Sequence, residues 1–340
     1  MMNSNLYFRL HANCIPVNGK KEAAIYDLGR NGYFIIPPLL CEVLQRNQNK
    51  IFTVAQIKSF YNYEFDEGID KWFPFLESKG LGFFTDEPQL FPPLNLQWDS
   101  PFLFTNAILE RDKNTTWSLH DVLAQLNEIG CPAVELRFLD EIDVSSLFET
   151  LREFNERRFT AFFVYLKYRE GVFPDQAANL VLNFRRIVKL VFHSAPENMG
   201  NLYPQQGYEF LNNAIKASKK ILNSYSIEVH NRNDFVVNME LFTESLHYHP
   251  GFNRKICVDK TGMVKNYISQ EKSFGHIENA NLQKIAKDNQ ICELWKITHD
   301  QIQGCRDCCH RFMCVDNAPI VFRDGMYFKE NINCPYLEIE

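Results

Sequence analysis

The residues best able to do chemistry lie near the carboxyl end: Cys305, Cys308, Cys309, His310 and Cys314, with Cys334 following just before Pro335. Thiolates hold iron–sulfur clusters and zinc. Cys305 and Cys308 flank two residues, and five more separate Cys308 from Cys314. Three thiols on one tight loop with a distant fourth is a frequent way of holding a cluster, whereas structural zinc more often takes two separate CxxC knuckles. The spacing therefore predicts one 4Fe-4S cluster on Cys305, Cys308, Cys314 and Cys334. Zn is the alternative, since Cys309 and His310 lie within the loop and Cys3His is an ordinary zinc shell.

A chain of 340 residues, 45% hydrophobic and 23% charged, can bury two or three separate cores. Its net charge of -6 offers phosphate backbones no general attraction, which speaks against a nucleic acid partner. Polar Asn3, Ser4 and Asn5 stand where a secretory signal needs an apolar core, and no later run reaches membrane-spanning length. The expectation is a cytoplasmic protein with no membrane partner. Cysteines bunched at ligand spacing then imply metal in a reducing compartment rather than disulfides.

Elements must position that loop, and they fall into three units, 1–95, 96–250 and 251–340. In the first, Leu6 to Ala12 alternates loosely. Ala23–Leu28 and Tyr33–Ile36 read as a hairpin across Gly29 to Gly32. Pro37 and Pro38 open a helix, Thr53 caps a second, and Asp66 caps a third that ends at Gly80, with Pro74 expected to bend it or end it early. Leu81 to Thr85 makes a short wing. Hairpin, helices and wing suggest a winged-helix-like unit. Glu64, Asp66, Glu67, Asp70 and Glu77 outnumber Lys71 and Lys79 on its third helix, the wrong sign for reading DNA. Peptide capture suits it better, an extended ligand adding a strand near Tyr33 and Ile35 and resting on Lys71 and Trp72. By position alone Tyr33, Ile35, Trp72 and Leu76 also read as plain core.

The middle unit alternates strands and helices. Strands are expected over Leu103–Glu110, Ala133–Leu139, Phe159–Leu166, Ile187–Phe192 and Tyr225–Val229. Helices are expected over Leu119–Ile129, Val144–Glu156, Asp175–Phe184 and Gln206–Leu222. Such alternation argues for an α/β fold with a parallel sheet, open or curled into a partial (β/α) barrel. Ligands bind beyond the carboxyl ends of such strands, yet little there could react. Asp140, Glu141 and Asp143 read as a solvated helix cap, and His193 as a satisfied polar residue.

From Ile256 the order is a hairpin turning at Lys260 to Gly262, a turn over Gly275, His276 and Ile277, a helical stretch from Asn281 to Lys287, and then the cysteine loop. This order resembles the SPASM domain, the C-terminal iron–sulfur extension of many radical SAM peptide-modifying enzymes. The likeness is carried by Cys257 with Gly262 five positions on, the turn at Gly275, the spacing of Cys305, Cys308 and Cys314, and Cys334. A full SPASM domain holds two clusters. Here Tyr267 and Ala318 stand where the pattern expects cysteines, so the resemblance implies one cluster, with Cys257 a small buried hydrophobe. Radical SAM enzymes also carry a CxxxCxxC triplet after the first barrel strand. Arg111 to Thr116 has no cysteine, and Cys14, Cys41 and Cys131 are too scattered to replace it, so no S-adenosylmethionine chemistry is expected.

A SPASM region on a barrel-like middle without the radical site is similar to the SPASM proteins of grasp-with-spasm peptide maturation systems. That resemblance implies a non-radical accessory or scaffold protein whose partners are a precursor peptide and an ATP-grasp ligase. It leaves enzymatic activity undecided. The residues keep two other readings open: an Fe–S redox enzyme acting on a peptide through Cys309 or Cys257, and a zinc-stapled interaction protein.

Overall fold

The computed structural model describes residues 5–155, 158–170, 172, 175–200, 203, 209–222, 235–330, 334 and 336. The fold is mixed α/β, organised round a large, mostly parallel sheet.

At the amino end, β1 (Tyr7–Leu10) pairs antiparallel with β5 (Gly82–Thr85), so the expected wing closes onto the first strand of the chain. Between them, β2 (Cys14–Val17), β3 (Ala23–Asp27) and β4 (Gly32–Ile36) form an antiparallel sheet. The β3–β4 hairpin was legible from its turn, where Asn31 takes a positive φ of 55° and Asp27 stands opposite Gly32. α1 (Pro38–Asn49) opens on proline, whose missing N–H is no loss in a first turn. Thr53 and Gln56 exchange bonds in a capping box at the head of α2 (Val54–Phe60).

α3 (Asp66–Ser78) departs from expectation twice. Asp66 is its first helical residue and Phe65 holds the cap position. Pro74 does not end the helix early, although it removes one backbone bond. The flanking side chains explain this: Phe73 and Leu76 are fully buried, and Phe73 stacks on Phe8 with ring centroids 4.3 Å apart.

Among the described residues the large sheet has eight strands in the order β10-β9-β8-β7-β6-β11-β12-β13. Five come from the middle of the chain: β6 (Asn106–Arg111), β7 (Ala133–Phe138), β8 (Ala161–Lys167), β9 (Ile187–His193) and β10 (Ile215–Ala217). They run parallel, joined through α4 (Leu119–Glu128), α5 (Val144–Glu153), α6 (Asp175–Asn183) and α7 (Glu209–Ala214). The helix expected over Gln206–Leu222 is corrected here: it stops at Ala214, and Ile215–Ala217 pairs with Leu190–Phe192 of β9. Ile215 is the reason, since a β-branched side chain with no exposure fits a buried strand beside Leu190. The strand expected over Tyr225–Val229 lies outside the described residues.

After α8 (Met239–Ser245), β11 (Lys255–Val258) runs parallel beside β6, and β12 (Met263–Lys265) and β13 (Ser273–His276) continue the sheet antiparallel. The hairpin expected in the third unit therefore extends the central sheet, because Ile256 and Val258 join the core of Ala107 and Leu109. α9 (Leu282–Ile285) and α10 (Asn289–Trp295) lead to the cysteine loop. Beyond it, β14 (Ile320–Arg323) and β15 (Met326–Lys329) form a ribbon turning at Asp324 and Gly325. Both turn residues have positive φ, the conformation that favours an Asp-Gly pair in a two-residue hairpin. No helix among the described residues is long and apolar enough to cross a membrane.

Candidate metal centre

Gly304 starts the cysteine loop at φ 81°, a conformation that costs glycine little, and Cys305–Asp307 follow as one tight turn. The turn closes with the Cys308 N–H donating to the Cys305 carbonyl at 3.0 Å. Cys305 and Cys308 are thereby held on one side of a single turn. The His310 N–H donates to Cys308 Sγ at 3.4 Å, a bond that favours the thiolate. His310 Nδ1 stands 3.6 Å from the sulfurs of both Cys308 and Cys309. Rings enclose that imidazole: Phe235 stacks on it at 4.9 Å, while Tyr336 lies at 4.9 Å and Tyr33 at 5.6 Å. Tyr336 follows Cys334 by two residues, so the same packing brings the chain end back to the loop.

Arg311 fixes the loop from within. Its guanidinium meets Asp300 at 2.7 Å, donates to the Cys308 carbonyl at 3.0 Å, and bonds the carbonyl and side chain of Asn18 at 2.5 and 2.9 Å. Only a planar fork makes all of these at once. Asn18 belongs to the β2–β3 connection, which also donates the Lys20 N–H to the Asp307 carbonyl at 2.8 Å. The Tyr26 hydroxyl donates to the Cys309 carbonyl at 2.6 Å, and a shared core of Val17, Ala24, Tyr26, Phe242, Phe312 and Met313 seals the seam.

Burial, above all, pushes the thiols up, Cys305 to about 11 and Cys308 and Cys314 to about 12. The sulfurs also repel one another's charge: Cys309, Cys314 and Cys334 raise Cys308, Cys308 raises Cys305, and Cys305 raises Cys314. Five thiols thus lie near enough to feel one another's charge, Cys305 and Cys309 buried and Cys308, Cys314 and Cys334 partly exposed. Among the described residues, no group of three or more His, Cys, Asp or Glu side chains is placed to hold a metal ion. A cationic side chain stands beside these sulfurs. Lys329, on β15, is almost wholly buried and pairs with equally buried Asp316. Burial works against its ammonium, but Cys305, Asp316 and Cys314 hold its affinity for the proton above the usual lysine range. The His299 Nδ1–H donates to the Arg311 carbonyl at 2.6 Å, leaving Nε2 to face Lys329 Nζ at 3.3 Å. Burial and then Lys329 lower His299 to about 3. Lys329, Asp316 and His299 escaped the sequence reading; the Asp324–Gly325 turn was the signal that could have placed Lys329 beside the loop.

The other candidates fall elsewhere. Tyr33 turns toward Phe235 and His310, whereas its neighbours Phe34 and Ile36 join the helical core on the other face of β4. Ile35 and Lys71 are exposed, and half-buried Trp72 packs on that helical core and meets Phe75 edge-on at 5.5 Å. Tyr33 and Trp72 thus pack against different clusters. Asp143 caps α5 through the Ser145 N–H at 3.1 Å, as a solvated cap should. The His193 Nε2–H donates to the Phe138 carbonyl at 2.8 Å and its Nδ1 meets Ser194 at 3.0 Å, a satisfied histidine. Cys257 is fully buried in the central core, its thiol pushed up chiefly by that burial. Cys14, Cys41 and Cys131 are also buried, each raised to about 12, first by burial. The Arg111–Thr116 loop closes on itself through Asp112 and Thr115, whose hydroxyl reaches the Lys260 carbonyl at 3.0 Å.

Fold and site together define an α/β protein with a thiol-lined, C-terminal cap locked to its amino-terminal sheet. No protein-family model matches the chain, and no curated protein does. Among solved structures it is similar to SuiB of Streptococcus suis, in a crystal structure bound to S-adenosylmethionine. The identity is 11%, the TM-score 0.37, and the match covers 100% of each chain. A likeness this distant bears on neither activity nor ligand.

Proposed function

We propose that this chain is a non-radical accessory or scaffold protein of ribosomal peptide maturation, carrying one 4Fe-4S cluster on Cys305, Cys308, Cys314 and Cys334. The observation that carries the reading is the cysteine loop itself, where one tight turn closes between Cys305 and Cys308 and Lys329 is set against Cys305 and Cys314. A cubane gives each thiolate its own iron, so its ligands surround a volume and need not converge on one ion. When bound, the cluster supplies folding energy to a cap poor in regular structure. The chain's own residues do the rest: the His310 N–H steadies the Cys308 sulfur, Lys329 offsets negative charge, and Arg311 ties the loop to Asn18. Precursor binding and partnership with an ATP-grasp ligase come from the SPASM resemblance. Burial of Cys309 and Cys257 speaks against the redox-enzyme reading, which needs a thiol open to substrate.

Anaerobic purification followed by iron, zinc and acid-labile sulfide assay tests the centre. Four irons with four sulfides per chain are expected, with loss in the C305S and C308S variants. One zinc without sulfide would return the zinc-stapled interaction protein, and no bound metal would overturn both. Co-purification with a ligase and a short precursor peptide tests the partner half.

A further inference from the structure

One face of the central sheet carries three lysines without a carboxylate partner among the described residues, while Glu135 on the same face is taken up by Arg137. Along β9, Lys189, Val191 and His193 stand level with Phe163, Tyr165 and Lys167 of β8, and Val191 stands level with Lys216 of β10. Residues paired across strands share a face, so Lys189, Lys216 and Lys167 lie on the same side. The opposite side is the packed one, where Val164, Leu190, Phe192 and Ile215 join the central core beneath the helices. Lys189 and Lys216 are exposed and Lys167 is half-buried. Lys189 Nζ sits 5.7 Å from the centre of the Tyr165 ring. Among the described residues, none of the three lysines has a carboxylate partner.

Their spacing is regular. Two residues along a strand advance about 6.6 Å, so the three lysine positions step along the β9 direction at that interval, Lys216 offset to one side and Lys167 to the other by one strand spacing of about 4.8 Å, which long side chains can span. An extended peptide presents alternate side chains at the same interval. We propose that this face binds an extended acidic segment, with carboxylates at i, i+2 and i+4 meeting Lys189, Lys216 and Lys167 and the rings of Phe163 and Tyr165 as its floor. The inference rests on the reading of the chain as a holder of precursor peptide, and names the chemical class of that peptide. Charge favours a short acidic peptide over a nucleic acid. The chain is -6 overall, so the attraction is local, extends about a Debye length, and gives a long phosphate backbone no general pull.

Fluorescence anisotropy with the purified full chain tests this, using a short labelled peptide with glutamates at alternate positions. Its glutamine counterpart and a single-stranded oligonucleotide are the controls. The glutamate peptide should bind at least about tenfold more tightly than the glutamine peptide, with salt removing the difference. The K189E/K216E variant should lose that preference while keeping its melting temperature and metal content, as both positions are exposed. Equal binding of the two peptides, an unaltered K189E/K216E variant, or an oligonucleotide that competes equally well would each overturn the proposal. A chain that lacks iron yet still prefers the acidic peptide would sink the cluster reading and leave this face standing.

Discussion

The hydroxyl of Tyr26 donates a 2.6 Å hydrogen bond to the carbonyl of Cys309, joining residues 283 positions apart in the chain. The donor lies in the amino-terminal sheet and the acceptor inside the cysteine loop, both buried. Burial, the largest influence, holds the phenol protonated and able to donate. Removing the hydroxyl in Tyr26→Phe keeps the ring packing but strands a buried carbonyl, at a cost of about 1–3 kcal/mol. Thermal melting should fall accordingly, and the variant should lose iron to a chelator faster than the parent. An unchanged melt would mean that the seam gains nothing from this bond.

Gly19 closes the same seam at backbone level. A Cβ there would stand 2.5 Å from the Glu22 carbonyl and 2.7 Å from the Cys309 nitrogen, neither of which can swing aside as a side chain could. Gly19→Ala should therefore pry the β2–β3 connection from the cysteine loop, destabilising by about 1–3 kcal/mol. Chemical denaturation measures it. Gly68→Ala is the control, since a Cβ there meets nothing within 4 Å and the position is helical. Equal midpoints for the two variants would remove the seam from the account.

Lys329 and Asp316 make a buried pair whose value shows when one member is lost. Lys329→Met leaves the Asp316 carboxylate without its ammonium, and breaking a buried pair this way costs about 3–5 kcal/mol. The K329M/D316N double variant should recover much of that loss, because neither uncompensated charge remains. Denaturant midpoints of the two variants decide the matter. Iron content should stay depressed in both, as Cys305 and Cys314 lose the cation that favours their ionised forms.

Much of this architecture was legible because local rules and the fold agree. Thr53 and Asp143 mark helix starts, and each side chain accepts the bond that its type suggests. The alternation of strands and helices from Asn106 onward likewise predicts the parallel sheet that forms. What stayed hidden depends on distant pairing. Lys255–Val258 reads as half of a local hairpin, and only the buried faces of Ala107 and Leu109 recruit it beside β6. Tyr33 on β4 and Trp72 on α3 look alike in sequence as aromatic residues of the amino-terminal unit. The alternation along β4 sends Tyr33 toward the cysteine loop, and nothing near it in sequence marks that loop as a neighbour. The cysteines were easiest to find, since ligand spacing is a local property. Lys329, Asp316 and His299 have no such signature and come together only when the β14–β15 ribbon docks through Ile302 and Tyr327.

Two buried histidines should make the metal-free protein sensitive to mild acid. His249 has no exposed surface, its Nδ1 accepts the Gly251 N–H at 3.1 Å, and its ring lies 4.6 Å from that of His299. Burial first, then His299 and Lys329, hold its affinity for a proton well below the ordinary value of 6.5, and His299 is lowered to about 3. Below pH 6.5 the unfolded chain therefore takes up protons at both positions while the folded chain does not. Stability falls as pH falls, by about 1.4 kcal/mol per pH unit for each histidine once its unfolded form titrates, until the folded groups protonate. Asp316 adds to the loss at lower pH, because its carboxylate is held below the usual range despite burial, chiefly by Lys329. Urea midpoints of the metal-free chain should thus drop steeply between pH 6.5 and 4. His249→Phe, which keeps a ring against Phe252, should reduce the slope by about one proton. A midpoint that stays level from pH 7 to 5 would show that these imidazoles meet water in the folded chain.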